Sequence, residues 1–260
     1  MINKEISLSQ NGSMPYARIT SYFHEKSEEL VNDPRTTLLI CPGGGYCFTS
    51  AREAEPIAVR YYSMGFNTAV LWYSVAPARY PVALNEAGEA MQYLYDNADA
   101  FMINRDKIVI MGFSAGGHLA ASYSCFWKKK GFIRPAAALL CYPVITSGPY
   151  AHEDSFRKLL DDRYDDIKDD LSLENCVTSD NPKTFLWTTF TDDCVPAENT
   201  FMFAAALRKL NISTELHMFE KGAHGLALAD ENTFNPAYPE SIQPECVPWF
   251  ALSITWLKNI

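Results

Sequence analysis

The sequence predicts an α/β fold in which a mostly parallel central sheet is covered by helices on both faces. Short apolar, β-prone runs alternate along the 260-residue chain with helix-like stretches of about 10 to 20 residues, as in parallel βα units. Apolar residues make up 48% and charged residues 20% of the chain, which is typical of globular proteins. No internal repeat or Pro/Gly/Ser-rich linker divides the chain, so we expect residues 1–260 to form one domain.

Six apolar runs predict the strands of this sheet. The first, Thr36–Cys41, is bounded by Pro34 and Pro42, and its apolar, β-prone composition indicates a buried strand. The other five runs are Asn67–Tyr73, Lys107–Phe113, Ala136–Pro143, Thr184–Phe190 and Thr214–Phe219.

Five segments between and after these strands have the apolar spacing of helices. Glu53–Met64 ends directly before Gly65, a residue type that often terminates helices. Pro81–Ala100 places apolar residues at intervals of three and four and predicts a long helix. The remaining helices are expected at His118–Trp127, Ala197–Leu210 and Pro248–Leu257.

Two segments depart from the alternation of strands and helices. Residues 151–175 carry nine acidic and four basic side chains, a net charge of −5, and their aspartates recur in pairs every four residues. This pattern is typical of a solvated helical face, and its place between two core strands also suggests a lid or cap, inserted at about residues 146–180. The segment lacks the spacing and glycine of an EF-hand calcium loop. Residues 232–248 contain four prolines and predict a long loop.

Charge and hydropathy argue against nucleic-acid and membrane partners, and the cysteine content indicates the cellular compartment. The chain has 22 basic and 31 acidic residues, a net charge of −9, and because an acidic protein repels phosphate backbones we expect no nucleic-acid partner. No apolar run reaches the roughly 18 residues of a membrane span and no secretory signal is present, so we expect no membrane partner. Seven cysteines without CxxC spacing are typical of free thiols in the cytoplasm. The oligomeric state, a homo-oligomer included, stays open.

The strongest local signal is a G-x-S-x-G motif, Gly112–Gly116, centred on Ser114. It directly follows a predicted strand and opens a helix, which is the context in which this motif carries a nucleophilic serine. The turn is tight, so it requires small residues around the serine and lifts the hydroxyl above the sheet. It also places the Ala115 backbone N–H at a helix N-terminus, where negative charge is stabilised.

A second signal, the segment PGGGY at residues 42–46, directly follows the first predicted strand. Three consecutive glycines allow unusual backbone dihedrals, and their N–H groups can converge on one anion, as an oxyanion hole requires. A phosphate-binding loop would need a following Gly-Lys-Ser/Thr, and a dinucleotide-binding motif would need glycine in place of Phe48. The sequence therefore favours an oxyanion loop here.

A nucleophilic serine needs a base and an orienting acid, which in this architecture follow it in the order Ser, Asp or Glu, His. Asp192 and Asp193 follow one predicted strand, and His224 follows the next. All three lie where parallel strands end, the edge of an open α/β sheet at which ligands bind. Spacing alone does not choose between the two aspartates.

Other candidate groups have weaker positions in the chain. Cys47 and Cys194 are conceivable nucleophiles but have no neighbouring base, and no HExxH or His/Cys/Asp cluster indicates a metal, so no cofactor is expected. Tyr46 and Trp187 flank the predicted site elements and are expected to contact substrate. Of the remaining histidines, His118 and His217 are expected to be structural. The positions of His24 and His152 in the sequence do not favour either of them as the base.

Taken together, these segments resemble the α/β-hydrolase esterases of the hormone-sensitive-lipase-like group, most of all their bacterial acetyl esterase, acetylxylan esterase and feruloyl-esterase-like members. The likeness runs from about Thr36 to His224. It rests on PGGGY, on the segment REAEP at residues 52–56, on GFSAGGHLAA, on DDCVPAEN at residues 192–199 and on ELHMFEKGAHG at residues 215–225.

The resemblance implies an α/β-hydrolase fold and a role for each site residue. Ser114 would be the nucleophile, His224 the base, and Asp192 the acid, since Asp192 stands four residues before Pro196 as the family's aspartate stands before its Val-Pro. The oxyanion hole would be formed by the N–H groups of Gly44, Gly45 and Ala115.

The function implied is that of a serine carboxylesterase that hydrolyses short acyl esters through an acyl-enzyme, with acetylated sugars or xylo-oligosaccharides as the favoured substrates. Many relatives have His-Gly-Gly-Gly in the glycine loop, and Pro42 stands here in place of that histidine. The sugar-esterase-like members share this proline. A serine peptidase of the same fold is an alternative, although the 35 residues before the first predicted strand are too few for the extra domain such enzymes usually carry. A ligand-binding protein without catalysis is the other alternative.

Overall fold

Eight strands form one central sheet in the computed structural model, which describes residues 1–260. They are β1 (Ile2–Ser7), β2 (Arg18–Phe23), β3 (Arg35–Cys41), β4 (Asn67–Trp72), β5 (Ile103–Phe113), β6 (Ala137–Cys141), β7 (Lys183–Thr189) and β8 (Thr214–Phe219). The spatial order is β1-β2-β4-β3-β5-β6-β7-β8. Strands β3 to β8 are mutually parallel, so the predicted mostly parallel sheet is confirmed.

The two N-terminal strands are antiparallel and are not predicted by the sequence analysis. β1 pairs with β2, and β2 pairs with β4. β1 is an edge strand in which only Ile2 and Ile6 pack toward the core, so it lacks an apolar run. β2 includes polar residues that are satisfied by partners distant in sequence, such as Thr20, which accepts a hydrogen bond from Trp72 Nε1 at 3.0 Å. Their strand character therefore depends on pairing across the sheet.

Seven α-helices accompany the sheet: α1 (Glu55–Ser63), α2 (Val82–Asp96), α3 (Ser114–Lys130), α4 (Glu153–Leu160), α5 (Tyr164–Ile167), α6 (Glu198–Lys209) and α7 (Pro248–Leu257). α1 and α7 contribute Tyr61 and Trp249 to one cluster of 26 buried apolar residues. α2, α3 and α6 contribute Met91, Leu119 and Phe203 to another cluster of 42. Alternate residues of β3 enter the two clusters, so helices cover both faces of the sheet, as predicted.

The helix boundaries differ from the predicted ones mainly at α2 and α3. α3 begins at Ser114 itself rather than at His118, and it ends at Lys130, directly before Gly131, which caps the helix with a φ of +69° in the left-handed region. α2 is shorter than predicted and ends at Asp96. α1 ends before Gly65, as predicted, and Gly65 has a φ of +94°.

The acidic segment forms short helices between β6 and β7. Besides α4 and α5 it contains single-turn 3-10 helices at Asp161–Arg163, Asp169–Leu171 and Leu173–Asn175. Its paired aspartates are exposed, whereas the apolar residues between them, including Phe156, Leu160 and Tyr164, are buried in the larger cluster. The paired acids therefore form the solvated face of this segment, and its apolar side packs against the core. Residues 232–248 form the expected loop, with two short 3-10 turns.

All seven cysteines are free thiols, and four of them are buried: Cys41, Cys125, Cys141 and Cys246. Cys47 and Cys194 are exposed, so burial is not general among them. None of the helices combines the length and apolar character needed to cross a bilayer.

Candidate active site

Ser114 occupies a strained turn between β5 and α3. Its φ is +52°, in the left-handed region that costs a non-glycine residue about 1–2 kcal/mol. The turn is so tight that a Cβ on Gly112 would lie 2.1 Å from the Gly116 carbonyl oxygen, and a Cβ on Gly116 would lie 2.1 Å from the Cys41 carbonyl oxygen. Glycine is therefore required at both positions. The turn presents the serine at the carboxyl edge of the sheet, where β3, β7 and β8 also end.

Ser114, His224 and Asp192 form one continuous chain of hydrogen bonds. Ser114 Oγ lies 2.7 Å from His224 Nε2, and His224 Nδ1 lies 2.7 Å from Asp192 Oδ2. When the serine hydroxyl donates to Nε2, Nδ1–H donates to the carboxylate, and this is the tautomer that a general base requires. The fold brings these groups together although 110 residues separate the serine from the histidine.

Asp192, and not Asp193, faces the histidine. The side chain of Asp192 is only 1% exposed, and its Oδ1 accepts hydrogen bonds from the backbone N–H groups of Cys194 at 3.0 Å and Val195 at 2.8 Å. Asp193 is exposed. The two backbone donors hold the carboxylate so that Oδ2 is directed at His224, which orients the ring.

The glycine loop after β3 passes directly beside the serine. A Cβ on Gly43 would lie 2.8 Å from Ser114 Cβ. Gly44 and Gly45 have φ values of +129° and +63°, which glycine adopts without strain. Neither of their N–H groups donates to another protein group, so both can bind an oxyanion. The Ala115 N–H belongs to the first turn of α3, whose N-terminus also favours negative charge.

The acidic segment borders this loop. Ser155 Oγ of α4 lies 3.8 Å from where a Cβ on Gly45 would stand, and it is 2.7 Å from His152 Nδ1. His152 is thus placed beside the glycine loop through Ser155, and burial and then the neighbouring His224 lower its pKa. No signal in the sequence indicates that His152 approaches the site, because its place depends on how the insertion folds back.

A buried carboxylate lies behind the glycine loop, and the sequence analysis includes it in the REAEP segment without giving it a role. Glu53 is 3% exposed, and its Oε2 accepts a hydrogen bond from the Gly43 N–H at 2.8 Å. Burial raises the pKa of Glu53, and hydrogen bonds from Tyr142 and Gly43 partly oppose this effect. The sequence gives no sign that Glu53 is buried, and only the tertiary structure shows that it packs against the site.

Two predicted substrate contacts are buried side chains instead. Trp187 is fully buried and stacks on Trp249 with ring centroids 5.1 Å apart, so it offers no surface to a substrate. Tyr46 is 3% exposed, and its hydroxyl lies 2.9 Å from His118 Nδ1 in the interior. Both residues lie next to site elements in sequence, but their side chains point into the core.

The rival groups named from the sequence are bound elsewhere. His118 also bonds to the Leu171 carbonyl, His217 lies 2.8 Å from Glu215 Oε1, and His24 Nε2 bonds to the Tyr62 carbonyl. Although Cys194 is exposed as a residue, partial desolvation of its thiol and then neighbouring carboxylates raise its pKa to about 11, which disfavours the thiolate. No group of three or more His, Cys, Asp or Glu side chains is arranged to hold a metal ion.

Known proteins resemble the chain in both sequence and structure. A family model described as alpha/beta hydrolase fold matches residues 38–228. Endo-1,4-beta-xylanase B of Butyrivibrio fibrisolvens is 36% identical over 217 residues, which cover 77% of this chain and 34% of that protein. Acetylxylan esterase of Xylanibacter ruminicola is 28% identical over 191 residues, which cover 71% of this chain and 39% of that protein.

The chain thus spans less than two fifths of the length of these two curated relatives. A solved structure covers it almost completely: the acetyl ester-xyloside bifunctional hydrolase of Caldicellulosiruptor lactoaceticus has a TM-score of 0.86 and 32% identity over 98% of this chain and 96% of that one. The matched region contains the serine turn, the glycine loop and both loops that carry the aspartate and the histidine. The chain belongs to the α/β-hydrolase fold family.

Proposed function

We propose that the protein is a serine carboxylesterase in which Ser114 is the nucleophile, His224 the general base and Asp192 the orienting acid. The observation that carries this proposal is the hydrogen-bond chain of two 2.7 Å contacts that joins the three side chains beside a loop of unpaired backbone N–H groups. Nucleophile, base, acid and oxyanion donors are the parts that acyl transfer needs.

The chemistry follows from these positions. Ser114 Oγ attacks the ester carbonyl while His224 Nε2 takes its proton, and Asp192 stabilises the imidazolium that forms. The N–H groups of Gly44, Gly45 and Ala115 hold the negative oxygen of the tetrahedral intermediate. His224 then protonates the departing alcohol, and the same base activates the water that releases the acid from the acyl-enzyme. The reaction requires no cofactor.

Short acyl esters, above all acetyl groups on xylose-based or other sugars, are the proposed substrates. Support comes from the names of the relatives, which include an acetylxylan esterase and an acetyl ester-xyloside hydrolase. A short acyl group is also supported by the close approach of α4 to the glycine loop, where Ser155 Oγ lies 3.8 Å from where a Cβ on Gly45 would stand.

Replacing Ser114 by Ala tests the mechanism. We expect hydrolysis of 4-nitrophenyl acetate to fall about 10⁴-fold or more, because the nucleophile is removed. Ser122→Ala is the matched control, since Ser122 lies on the same helix, is buried and is not hydrogen-bonded through its side chain; it should keep the full rate. A Ser114→Ala variant with wild-type turnover would disprove the mechanism.

A panel of esters tests the substrate. We expect the rate to decline from acetyl to octanoyl esters and to be highest for acetylated xylo-oligosaccharides. A rate that rises with acyl length would overturn the short-acyl proposal, and hydrolysis of peptides in preference to esters would favour the peptidase. Slow or absent labelling of Ser114 by a fluorophosphonate would favour a binding protein.

We further propose that the enzyme acts in the cytoplasm, because all seven cysteines are free thiols.

A further inference from the structure

Behind the proposed active site, one buried carboxyl group is linked by hydrogen bonds to two of the loops that form it. Glu53 Oε2 accepts from the N–H of Gly43, the first glycine of the oxyanion loop, at 2.8 Å. Glu53 Oε1 accepts from the Tyr142 hydroxyl at 2.7 Å, and that hydroxyl accepts in turn from the Ala227 N–H at 2.9 Å. Ala227 belongs to the loop that carries His224. The carboxyl group therefore joins two loops that are far apart in sequence.

The neighbouring residue makes a second connection to the histidine loop. Arg52 donates from Nη1 to the Gly225 carbonyl at 2.9 Å and from Nε to the Thr233 carbonyl at 2.6 Å. Gly225 directly follows His224. Together Arg52 and Glu53 hold the histidine loop at three backbone groups, one of them through Tyr142.

The surroundings of Glu53 leave little freedom for this carboxyl group. Gly43 lies between it and the serine, since a Cβ on Gly43 would stand 2.7 Å from Glu53 Oε2 and 2.8 Å from Ser114 Cβ. The Tyr142 ring is fully packed and meets the His224 ring edge-on, with centroids 5.1 Å apart. A shift of the carboxyl group would therefore move the oxyanion loop against the serine and the tyrosine against the histidine.

We infer that Glu53 is a positioning residue. Through its hydrogen bonds to Gly43 and Tyr142, it fixes the position of the oxyanion loop relative to the histidine loop. The inference rests on the proposed serine esterase function and extends it. Glu53 does not touch substrate. It acts on the transition state, because the alignment of Gly44 and Gly45 with the developing oxyanion matters most when the charge forms.

Glu53→Gln tests the inference, because the amide keeps the shape but cannot accept at both positions. If its oxygen stays on Gly43 N–H, its NH₂ faces the Tyr142 hydroxyl, which then has no acceptor for its own proton, so the connection to the histidine loop is weakened. We expect kcat for 4-nitrophenyl acetate to fall about 10- to 100-fold with KM changed less than about threefold, less than the 10²–10³-fold cost of deleting an oxyanion donor. Glu55→Gln, two residues away and exposed, is the matched control and should stay within about twofold of wild type.

Tyr142→Phe supplies the second measurement, and it is used alone if Glu53→Gln fails to fold. It removes the hydroxyl between Glu53 and Ala227, and we expect the same loss in kcat with little change in KM. Combining the two substitutions should cost less than the product of the single effects, because both break one connection. A purely structural role would lower the melting temperature and leave kcat unchanged, which would overturn the inference.

The outcomes also separate this inference from the proposed function. If wild type hydrolyses the ester, Ser114→Ala does not and Glu53→Gln matches wild type in kcat, the inference fails and the esterase stands. Additive effects of Glu53→Gln and Tyr142→Phe would refute the shared connection in the same way. If wild type hydrolyses no ester, both fail together.

Discussion

An Asp192→Asn substitution would keep the shape of the side chain and remove its charge. Oδ1 of Asp192 accepts from the N–H groups of Cys194 and Val195, at 3.0 and 2.8 Å, while Oδ2 lies 2.7 Å from His224 Nδ1. Because both backbone groups are donors, the amide oxygen of the asparagine would take the place of Oδ1. Its NH₂ group would then face the histidine.

This orientation produces the wrong tautomer of the base. An NH₂ donor opposite Nδ1 requires a lone pair there, so the ring proton moves to Nε2, and His224 can no longer accept the proton of Ser114. The expected loss in kcat is about 10³- to 10⁴-fold, which corresponds to about 4–5.5 kcal/mol of transition-state stabilisation. Flipping the amide would restore the tautomer but would point NH₂ at two backbone donors, at a cost of about 1–3 kcal/mol for each group left unpaired.

Steady-state hydrolysis of 4-nitrophenyl acetate at neutral pH measures the effect, with thermal unfolding to verify that the variant is folded. Asp193→Asn is the matched control, because Asp193 adjoins Asp192 in sequence but is exposed. We expect it to retain activity within about twofold, as surface substitutions usually do. A loss below tenfold for Asp192→Asn, or an equal loss for both variants, would refute the assignment of the acid.

Two further predictions follow from buried groups near the site. Gly116→Ala should lower esterase activity at least about 100-fold and reduce the melting temperature, because its Cβ would lie 2.1 Å from the Cys41 carbonyl oxygen. Gly131→Ala is the control, since no atom lies within 4 Å of the added Cβ. It should lower the free energy of unfolding by only the ~1 kcal/mol of left-handed strain and keep full activity. Burial lowers the pKa of His118 from 6.5 to about 4, so between these values the unfolded chain binds a proton that the folded chain does not. His118 should therefore reduce the free energy of unfolding by about 3 kcal/mol as the pH falls from 7 to 4, and His118→Gln should show a correspondingly flatter pH dependence in urea denaturation. Equal pH dependence in the two proteins, or an active and stable Gly116→Ala variant, would contradict these expectations.

Local sequence patterns are sufficient to predict the core of the fold and to select the residues of the proposed site. Strands β3 to β7 contain apolar runs because both faces of the inner parallel sheet are buried, so each run is recognisable without its neighbours. Ser114 was identifiable because a tight turn demands glycines at fixed offsets, and these offsets are a property of a short segment. Asp192, Asp193 and His224 were identifiable because parallel strands end at one edge.

The fold decided what depends on distant partners. β1 and β2 contain polar residues; β2 becomes a strand by pairing with β4, and β1 by pairing with β2, interactions that no local pattern encodes. Spacing alone does not choose between Asp192 and Asp193, and the family resemblance implies Asp192. The two backbone donors and the imidazole that hold Asp192 come together only in the folded loops. Trp187 and Tyr46 lie beside the site in sequence yet face the core, whereas Glu53 and His152 lie beside the site only in space. A sequence pattern reports which residues share a face or a turn, but burial and orientation are set by packing between segments, and these properties determine which side chains reach the substrate.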